Sequence, residues 1–450
     1  MRGETPRDGP TAGNESLRDG EGKTGQGEEL IMAATHGSQR LSLFGSDPSR
    51  AGGCVMRRAL TLLPFMALLF ILPFRGTVAI RLVCLAAALL LALFLWRRLA
   101  PPRIPCKPAI GVWALIAVIS LAGAVDPAYS LGEIKNEIVY TMMAFVAFFA
   151  ATRKESDLKW LLLSLAAGAS VLCLGAIQSH WQLGAWQERA TFYGGTGAFA
   201  GYAAAVAPML FLLAAYTPER RRRGAVFAVF ALVAVTTLLS LQRTVWWVFA
   251  LEGLIALVLL KRGGLIRLSW TGLMTSVLLV VVLTGGISLA VHQERVKGDV
   301  DAEINRDSRP KVWLSVVHRI AERPLVGAGF GRGVMSKADR DLVPKDNSML
   351  WHAHNIFLDY GLQMGLPGML ALAWVVFCLL REYWRLCNAP DDKLKLLGIA
   401  GLMLVAGVML RNQASDEFLR DASILFWALN GALLGFGRRR LEQLGPNGVA

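Results

Sequence analysis

The sequence predicts an all-α polytopic membrane protein with about twelve transmembrane helices and a large external loop between helices nine and ten. Of the 450 residues, 54% are hydrophobic, which exceeds the usual content of a soluble protein. Most apolar residues fall in runs of about 16–25 residues, and short basic clusters separate these runs. These observations exclude a chain of soluble domains and favour one helical bundle in a bilayer.

Residues 1–56 differ from the rest of the chain. They are rich in Gly, Ser, Arg, Glu and Asp and contain few large apolar residues. Such a composition cannot bury a core, so the sequence predicts a disordered or mis-annotated N-terminal tail. Met56 is followed by Arg57, Arg58 and an apolar run. We therefore expect the natural chain to start at Met56, or the first 55 residues to be dispensable.

The apolar segments follow at short intervals and predict helices long enough to cross about 30 Å of hydrocarbon. They lie near 59–74, 78–96, 109–125, 136–152, 159–177, 197–216, 224–241, 244–260, 271–291, 356–380, 394–411 and 422–437. The predicted organisation is nine helices over 57–291, a loop over 292–355, three helices over 356–440 and a tail over 441–450.

The basic residues alternate between the two sides of the predicted bundle. If the N-terminus is cytoplasmic, the clusters after every even-numbered helix are cytoplasmic as well, and the positive-inside rule places both chain ends there. The loop over 292–355 is then external, since long loops are exempt from the rule. The net charge of +14 has this topological origin and does not indicate a nucleic-acid partner.

Three polar clusters fall on the external side although they are distant in sequence. Arg189 precedes helix six, Arg243 interrupts the apolar stretch between helices seven and eight, and His352 and His354 end the large loop. A lone external arginine opposes the charge bias, so we interpret Arg243 as functional rather than as a charged hairpin tip. The alternative for Arg189 is an ion pair with Glu188 or snorkelling. Both guanidinium groups are suited to bidentate binding of a lipid-linked pyrophosphate.

The two loop histidines have different predicted roles. A neutral imidazole is suited to take a proton from a hydroxyl, and we favour His354 over His352 for this role. Asn355 is predicted to cap the next helix. A His-x-His pair also occurs in metal sites, but no nearby Cys or acidic pattern completes one, so we expect no metal and no other cofactor.

The loop contains an amphipathic stretch and a glycine run. Residues 308–323 carry apolar positions at helical spacing, and we expect this helix to lie flat on the outer membrane face. Residues 327–333 contain four glycines, but no strand precedes them, so a dinucleotide-binding loop is excluded. In helix ten, the sequence Gly365-Leu366-Pro367-Gly368 predicts a kink.

Together these residues resemble the bacterial O-antigen ligase and polymerase superfamily. The resemblance rests on Arg309, Trp313 and the run Glu322-Arg323-Pro324-Leu325-Val326-Gly327-Ala328-Gly329. It rests also on His354-Asn355, followed nine residues later by Gly365-x-x-Gly368, a spacing that is similar to the ligase branch. The resemblance covers roughly residues 159–380.

The resemblance implies a metal-independent, inverting glycosyltransferase of the inner membrane that uses no nucleotide. Such ligases transfer a glycan from undecaprenyl diphosphate to lipid A-core on the periplasmic face. Arg189 and Arg243 match the arginines that bind the diphosphate, and His354 matches the catalytic histidine. The additional candidates for glycan or diphosphate binding are Arg309, Arg323, Arg332, His352 and Asn355.

Other functions stay open at this point. A polymerase of the same superfamily uses the same lipid-linked donor, and ligation to a protein hydroxyl or another surface polymer is a third reading. A transporter or flippase of polysaccharide lipids would need polar residues at mid-membrane. The main residue of that kind is Glu252, and the two halves of the chain show no repeat.

Overall fold

The structure is a computed structural model and describes residues 48–183, 195–295, 309–343, 351–414 and 418–445. The chain divides into two compact units, Met1–Arg58 and Ala59–Ala450, and the second forms the helical bundle. No β-strand occurs within the described ranges. Most of the predicted N-terminal tail, residues 1–47, lies outside the described residues.

The longer helices are numbered in chain order. They are α1 (Pro48–Ile71), α2 (Val78–Phe94), α3 (Lys107–Ile119), α4 (Pro127–Ala151, with a π-helical turn at Lys135–Val139), α5 (Glu155–Leu183), α6 (Thr196–Ala215), α7 (Arg220–Leu239), α8 (Arg243–Arg262), α9 (Trp270–Arg295), α10 (Arg309–Glu322), α11 (Ile356–Cys387), α12 (Asp392–Arg411) and α13 (Arg420–Gln443). Short helical segments are Trp96–Leu99, Ser120–Gly123, Val334–Ala338 and Arg340–Leu342.

Every predicted apolar segment overlaps one of these helices, and α10 is the additional helix expected within the loop. In the described part of the chain, eight helices are long and apolar enough to cross a membrane: α4 to α9, α11 and α12. The polytopic α-helical class is therefore confirmed. The count of twelve spans stays a prediction, because α1, α2, α3 and α13 are not among the eight. Helix α1 begins at Pro48, before the predicted end of the tail, and proline is favoured in a first helical turn.

Helix α13 packs along the second half of α4 at close backbone distance. Gly431 and Gly435 are four residues apart. A Cβ atom at Gly431 would collide with the Phe145 carbonyl oxygen, and one at Gly435 would collide with the Phe149 carbonyl oxygen. This spacing of small residues lets two membrane helices approach closely. One turn further on, the buried guanidinium of Arg439 donates to the Phe149 carbonyl at 2.9 Å. The cation stabilises the carboxyl end of α4, where helix carbonyls lack partners.

The bundle has two ends, which we name by their chemistry. At the basic end, Tyr216 at the end of α6 donates its hydroxyl to the Lys393 carbonyl at 2.7 Å. At the same end, Arg262 at the end of α8 donates to the Asn388 side chain at 3.2 Å. The opposite end is the site end, where α6, α8 and α11 begin and α12 finishes.

Residues 309–343 and 351–355, which we call the extramembrane segment after the predicted external loop, dock on the site end. The apolar stripe of α10, formed by Val312, Val316 and Ile320, is buried and packs with Met335 and Leu362. Leu362 belongs to α11, so this stripe faces protein. The expectation that α10 lies with this face on the membrane is wrong, because helical periodicity identifies a buried face but not its partner.

The glycine run of the extramembrane segment contacts α11 through two main-chain hydrogen bonds and one bond to a side chain. The N–H groups of Ala328 and Gly329 donate to the carbonyls of Leu362 and Gln363 at 2.8 and 3.0 Å. The Gly331 N–H donates to Gln363 Oε1 at 2.9 Å. The φ angles of Gly327, Gly329 and Gly331 are 64°, 104° and 120°, in the region that favours glycine. The run is therefore a docking element with fixed backbone geometry.

Candidate active site

The loop that carries the histidines is fastened to the end of α12. Asn355 Nδ2 donates to the Gln413 carbonyl at 3.1 Å, and the Ile356 N–H donates to the Asn412 carbonyl at 2.9 Å. Asn355 Oδ1 accepts from the N–H groups of Phe357 and Leu358 at 3.1 and 3.2 Å. Asn355 therefore caps α11, as the sequence predicted, and fixes the position of His354 just before the helix.

The end of α12 in turn contacts the starts of two other helices. Arg411, fully buried, donates from Nη2 to the Gly197 carbonyl in the first turn of α6 at 3.2 Å. The neighbouring Thr196 hydroxyl accepts from Gln242 Nε2 at 2.8 Å. Gln242 is the cap residue of α8, and the half-buried Arg243 is the first residue of that helix. A chain of hydrogen bonds therefore links the histidine loop to the turn that carries Arg243.

His354 has an unusual backbone conformation. Its φ angle is 53°, a left-handed value that costs a non-glycine residue free energy and persists only where the surroundings impose it. Here the surroundings are its helix-capping neighbour Asn355 and His352. The two histidine rings are stacked, with centroids 3.9 Å apart and an interplanar angle of 28°. The half-buried His354 ring therefore has a defined orientation at the site end.

The buried carboxylate of Asp359 holds the His352 ring in place. His352 Nδ1 lies 3.0 Å from Asp359 Oδ2, and both side chains are at most 4% exposed. The other oxygen, Oδ1, accepts from the Ala353 N–H at 2.9 Å. The His354 N–H points to His352 Nδ1 at 3.1 Å. The Asp359 carboxylate, one turn inside α11, therefore sets the position of the loop residues on either side of Ala353.

Helix α11 is interrupted close to this point. Gly365 has φ 67° and ψ −167°, which breaks the helix, so the predicted kink at Gly365–Gly368 is confirmed. The Leu366 N–H donates to the Pro324 carbonyl of the extramembrane segment at 2.8 Å. A Cβ atom at residue 365 would collide with that same carbonyl. At the break, the Leu366 N–H therefore donates to a loop carbonyl instead of a carbonyl of its own helix.

The predicted arginines occupy several positions in the extramembrane segment. Arg309 is half-buried at the first position of α10, and Arg332 is buried. Arg332 lies between Gly331 and Gly333, which contact Tyr129 near the start of α4. Arg323 lies 3.7 Å from the buried Asp339 carboxylate. Burial raises the pKa of the Asp339 carboxyl despite its arginine neighbours.

Three further points concern the candidate residues. Arg189 lies outside the described residues. Within the described ranges, no group of three or more His, Cys, Asp and Glu side chains is placed to hold a metal ion. Arg411 is a residue that the sequence reasoning missed, although a lone arginine at the external end of an apolar segment is the same signal that identified Arg243.

A comparison with family models found a match, which covers part of the chain. Residues 228–373 match the family model described as O-antigen ligase. This stretch is similar to the O-antigen ligase family. The match runs from within α7 to the middle of α11, and it includes Arg243, α10 and His354. The predicted resemblance to the O-antigen ligase and polymerase superfamily is confirmed.

The O-antigen ligase family implies an integral membrane enzyme of glycan ligation or polymerisation. It implies a lipid-linked glycan and a glycan acceptor as the substrates. No curated protein matches the chain closely enough to count as a relative.

Proposed function

We propose that this protein transfers a glycan from undecaprenyl diphosphate to an acceptor hydroxyl on the periplasmic face of the inner membrane, most specifically O-antigen ligation to lipid A-core. The observation that carries the proposal is the O-antigen ligase match, whose range includes both Arg243 and His354. The hydrogen-bonded link between the turn of Arg243 and the loop of His354 supports it, because one reaction needs both groups at one end of the bundle.

In the proposed reaction, a ring nitrogen of His354 takes the proton of the acceptor hydroxyl. The acceptor oxygen bonds to the anomeric carbon of the donor sugar as the bond from that carbon to the diphosphate breaks. Attack from the opposite face inverts the linkage. Arg243 and Arg189 stabilise the negative charge that grows on the leaving diphosphate. All these groups are side chains of this chain, so the proposed reaction needs no metal ion.

His352 and Asp359 act in this proposal as positioning residues. The Asp359 carboxylate holds His352, and the His352 ring stacks on His354. Both His352 and Asp359 are buried, whereas His354 is half-exposed at the site end. This arrangement favours His354 as the group that touches substrate and a supporting role for His352.

The test uses purified protein with undecaprenyl-diphosphate glycan and lipid A-core. We expect release of undecaprenyl diphosphate together with glycan-extended lipid A-core. His354→Ala should lower this rate by about 10²–10⁴-fold, the usual contribution of a general base. His318→Ala is the matched control, because His318 is an exposed histidine on α10 of the same segment. Turnover that survives His354→Ala, with folding intact, would remove the catalytic role.

The same assay separates the related readings. If a chelator stops turnover, the metal-independent reaction is wrong. A polymerase would extend one lipid-linked glycan with another and would leave lipid A-core unmodified. In a deletion strain, ligase loss leaves lipid-linked polymer beside bare core, whereas polymerase loss leaves core carrying a single repeat unit.

One observation bears on a transporter. Glu252 is 2% exposed inside α8, and neither carboxylate oxygen has a hydrogen-bond partner among the described residues. Its side chain faces Gly407 of α12. Transport would appear as movement of the lipid-linked glycan across vesicles that contain no acceptor, and a ligase would not produce it.

A further inference from the structure

A cavity of about 220 Å³ opens at the basic end of the bundle. It lies where α8 and α11 finish and α12 begins. Its lining residues are Leu259, Arg262, Gly263, Cys387, Asn388, Lys395 and Ile399. Because α8 has 20 residues from Arg243 to Arg262, the cavity is roughly 30 Å along the bundle from the proposed active site. Glycan transfer at the site end does not use it.

Two cations form the rim of the cavity. Arg262 donates to Asn388 Oδ1 at 3.2 Å, and its guanidinium carbon lies 4.4 Å from the centroid of the Trp384 ring. No ion pair to Arg262 occurs within the described residues. Lys395 Nζ lies 3.3 Å from the Gly263 carbonyl and 2.8 Å from the exposed carboxylate of Asp392. The rim therefore holds two positive charges against one negative charge.

Apolar side chains line the inner part of the same cavity. Leu259 and Ile399 pack in a small cluster with Ala256 and Met403, which continues along α8 and α12 toward the membrane interior. Trp384 is 43% exposed beside the rim, as is usual for tryptophan at a membrane interface. A cationic rim, an interfacial aromatic ring and an apolar floor match a molecule with an anionic head and a hydrocarbon body.

We propose that this cavity binds the phosphate group of an anionic glycerophospholipid. The phosphate lies between Arg262 and Lys395, and the glycerol and first acyl carbons lie against Leu259 and Ile399. Charge complementarity favours an anionic over a zwitterionic lipid, because the rim carries net positive charge. The binding site is independent of the glycan donor and does not rest on the proposed reaction.

The test is native mass spectrometry of the purified full-length chain with phosphatidylglycerol, phosphatidylcholine or inorganic phosphate. We expect bound phosphatidylglycerol on the unmodified chain and at least about tenfold weaker binding in an Arg262→Ala/Lys395→Ala variant, since each basic residue near a membrane surface contributes to anionic-lipid affinity. Arg221→Ala is the matched control, because it removes an exposed cation at the basic end outside the cavity, and we expect no change.

A second variant distinguishes the loss of lipid binding from a folding defect. Arg262→Gln removes the charge but keeps a donor for Asn388, and it should also weaken phosphatidylglycerol binding while the unfolding temperature stays unchanged. The proposal is overturned if the cavity variants bind phosphatidylglycerol as tightly as the control. It is also overturned if phosphatidylcholine binds equally well, or if inorganic phosphate displaces the lipid and binds alone with the same affinity. Glycan transfer activity is not the readout, so failure here leaves the proposed function standing.

Discussion

At the scale of single residues, the organisation of the site depends on Asp359. Its two oxygens take different partners, the His352 ring and the Ala353 N–H. An acidic side chain in the first turn of a helix is also favoured by the partial positive charge there. One carboxylate thus anchors the loop, orients the buried histidine and stabilises the start of α11.

Asp359→Asn should therefore lower turnover by about tenfold to a hundredfold, a fraction of the full general-base contribution. The amide keeps the shape but places a donor against His352 Nδ1 or removes the acceptor from Ala353. The Michaelis constant for the lipid-linked donor should stay unchanged, since Asp359 is buried away from substrate. Steady-state kinetics of the purified variant measure both constants.

Asp341→Asn is the control, because Asp341 is an exposed acid of the same segment whose partner is Arg319. A positioning role would be contradicted by an unchanged turnover number combined with a raised Michaelis constant for the donor.

The sequence predicted which residues of this loop are candidates for the reaction but not how they are arranged. The two histidines and the capping Asn355 were recognisable from residue type and spacing. The stacking of the two rings was not predictable from the sequence. It depends on the left-handed φ of His354, which tertiary contacts impose and which the residue type does not indicate. The pairing of His352 with Asp359 spans a helix start, so it too becomes visible only after folding.

At the scale of secondary-structure elements, α11 consists of two helical segments that meet at Gly365. Its φ and ψ place Gly365 in a region that is essentially restricted to glycine. Pro367 follows the break and lacks an N–H, so the adjoining turn already has one hydrogen bond fewer. The Pro324 carbonyl of the extramembrane segment supplies an acceptor at this point.

Gly365→Ala should destabilise the protein by about 1–3 kcal/mol, the usual cost of a strained backbone conformation, with a further contribution from the collision with Pro324. Thermal unfolding in detergent, followed by circular dichroism, measures the change.

Gly111→Ala is the matched control, because Gly111 lies inside α3 and a Cβ atom there meets nothing within 4 Å. Alanine has the higher helix propensity, so this variant should be neutral or slightly stabilised. Equal unfolding temperatures for the two variants would show that the break at Gly365 carries no strain.

Hydropathy located the helices well and their ends less well. Helix α4 begins at Pro127, before the predicted 136, and α11 continues to Cys387, beyond the predicted 380. Helices extend into the interface, where polar residues such as Glu133 and Glu382 lower the hydropathy without ending the helix. The partner of α10 was mistaken for a similar reason, since residue patterns do not say what covers an apolar face.

At the scale of the whole molecule, several cations lie at the basic end of the bundle. Arg262 and Lys395 line the cavity at the basic end, and Arg439 caps α4. The positive-inside rule favours a cytoplasmic position for such an end, so we propose that the candidate active site faces the periplasm.

This orientation predicts the labelling of two single-cysteine variants made after replacing the six native cysteines. Leu314→Cys on α10 should react with a membrane-impermeant maleimide in intact cells, because Leu314 is 62% exposed on the extramembrane segment. Arg221→Cys at the start of α7 should react only after the membrane is opened. The reverse pattern would invert the topology and place the proposed reaction in the cytoplasm.

The alternating glycines of residues 327–333 have a consequence for sequence change over evolutionary time. They meet α11 through two main-chain hydrogen bonds and one bond to the Gln363 side chain, so apart from Gln363 the identities of the facing side chains matter little to this contact. Their spacing matters greatly, because positive φ angles at Gly327, Gly329 and Gly331 must recur at every second residue. Loss of one residue between Gly327 and Gly331 would move Arg332 by one position and place a side chain where only a hydrogen fits. Point substitutions on the facing turn of α11, Gln363 excepted, should therefore accumulate far more readily than insertions or deletions in this short run.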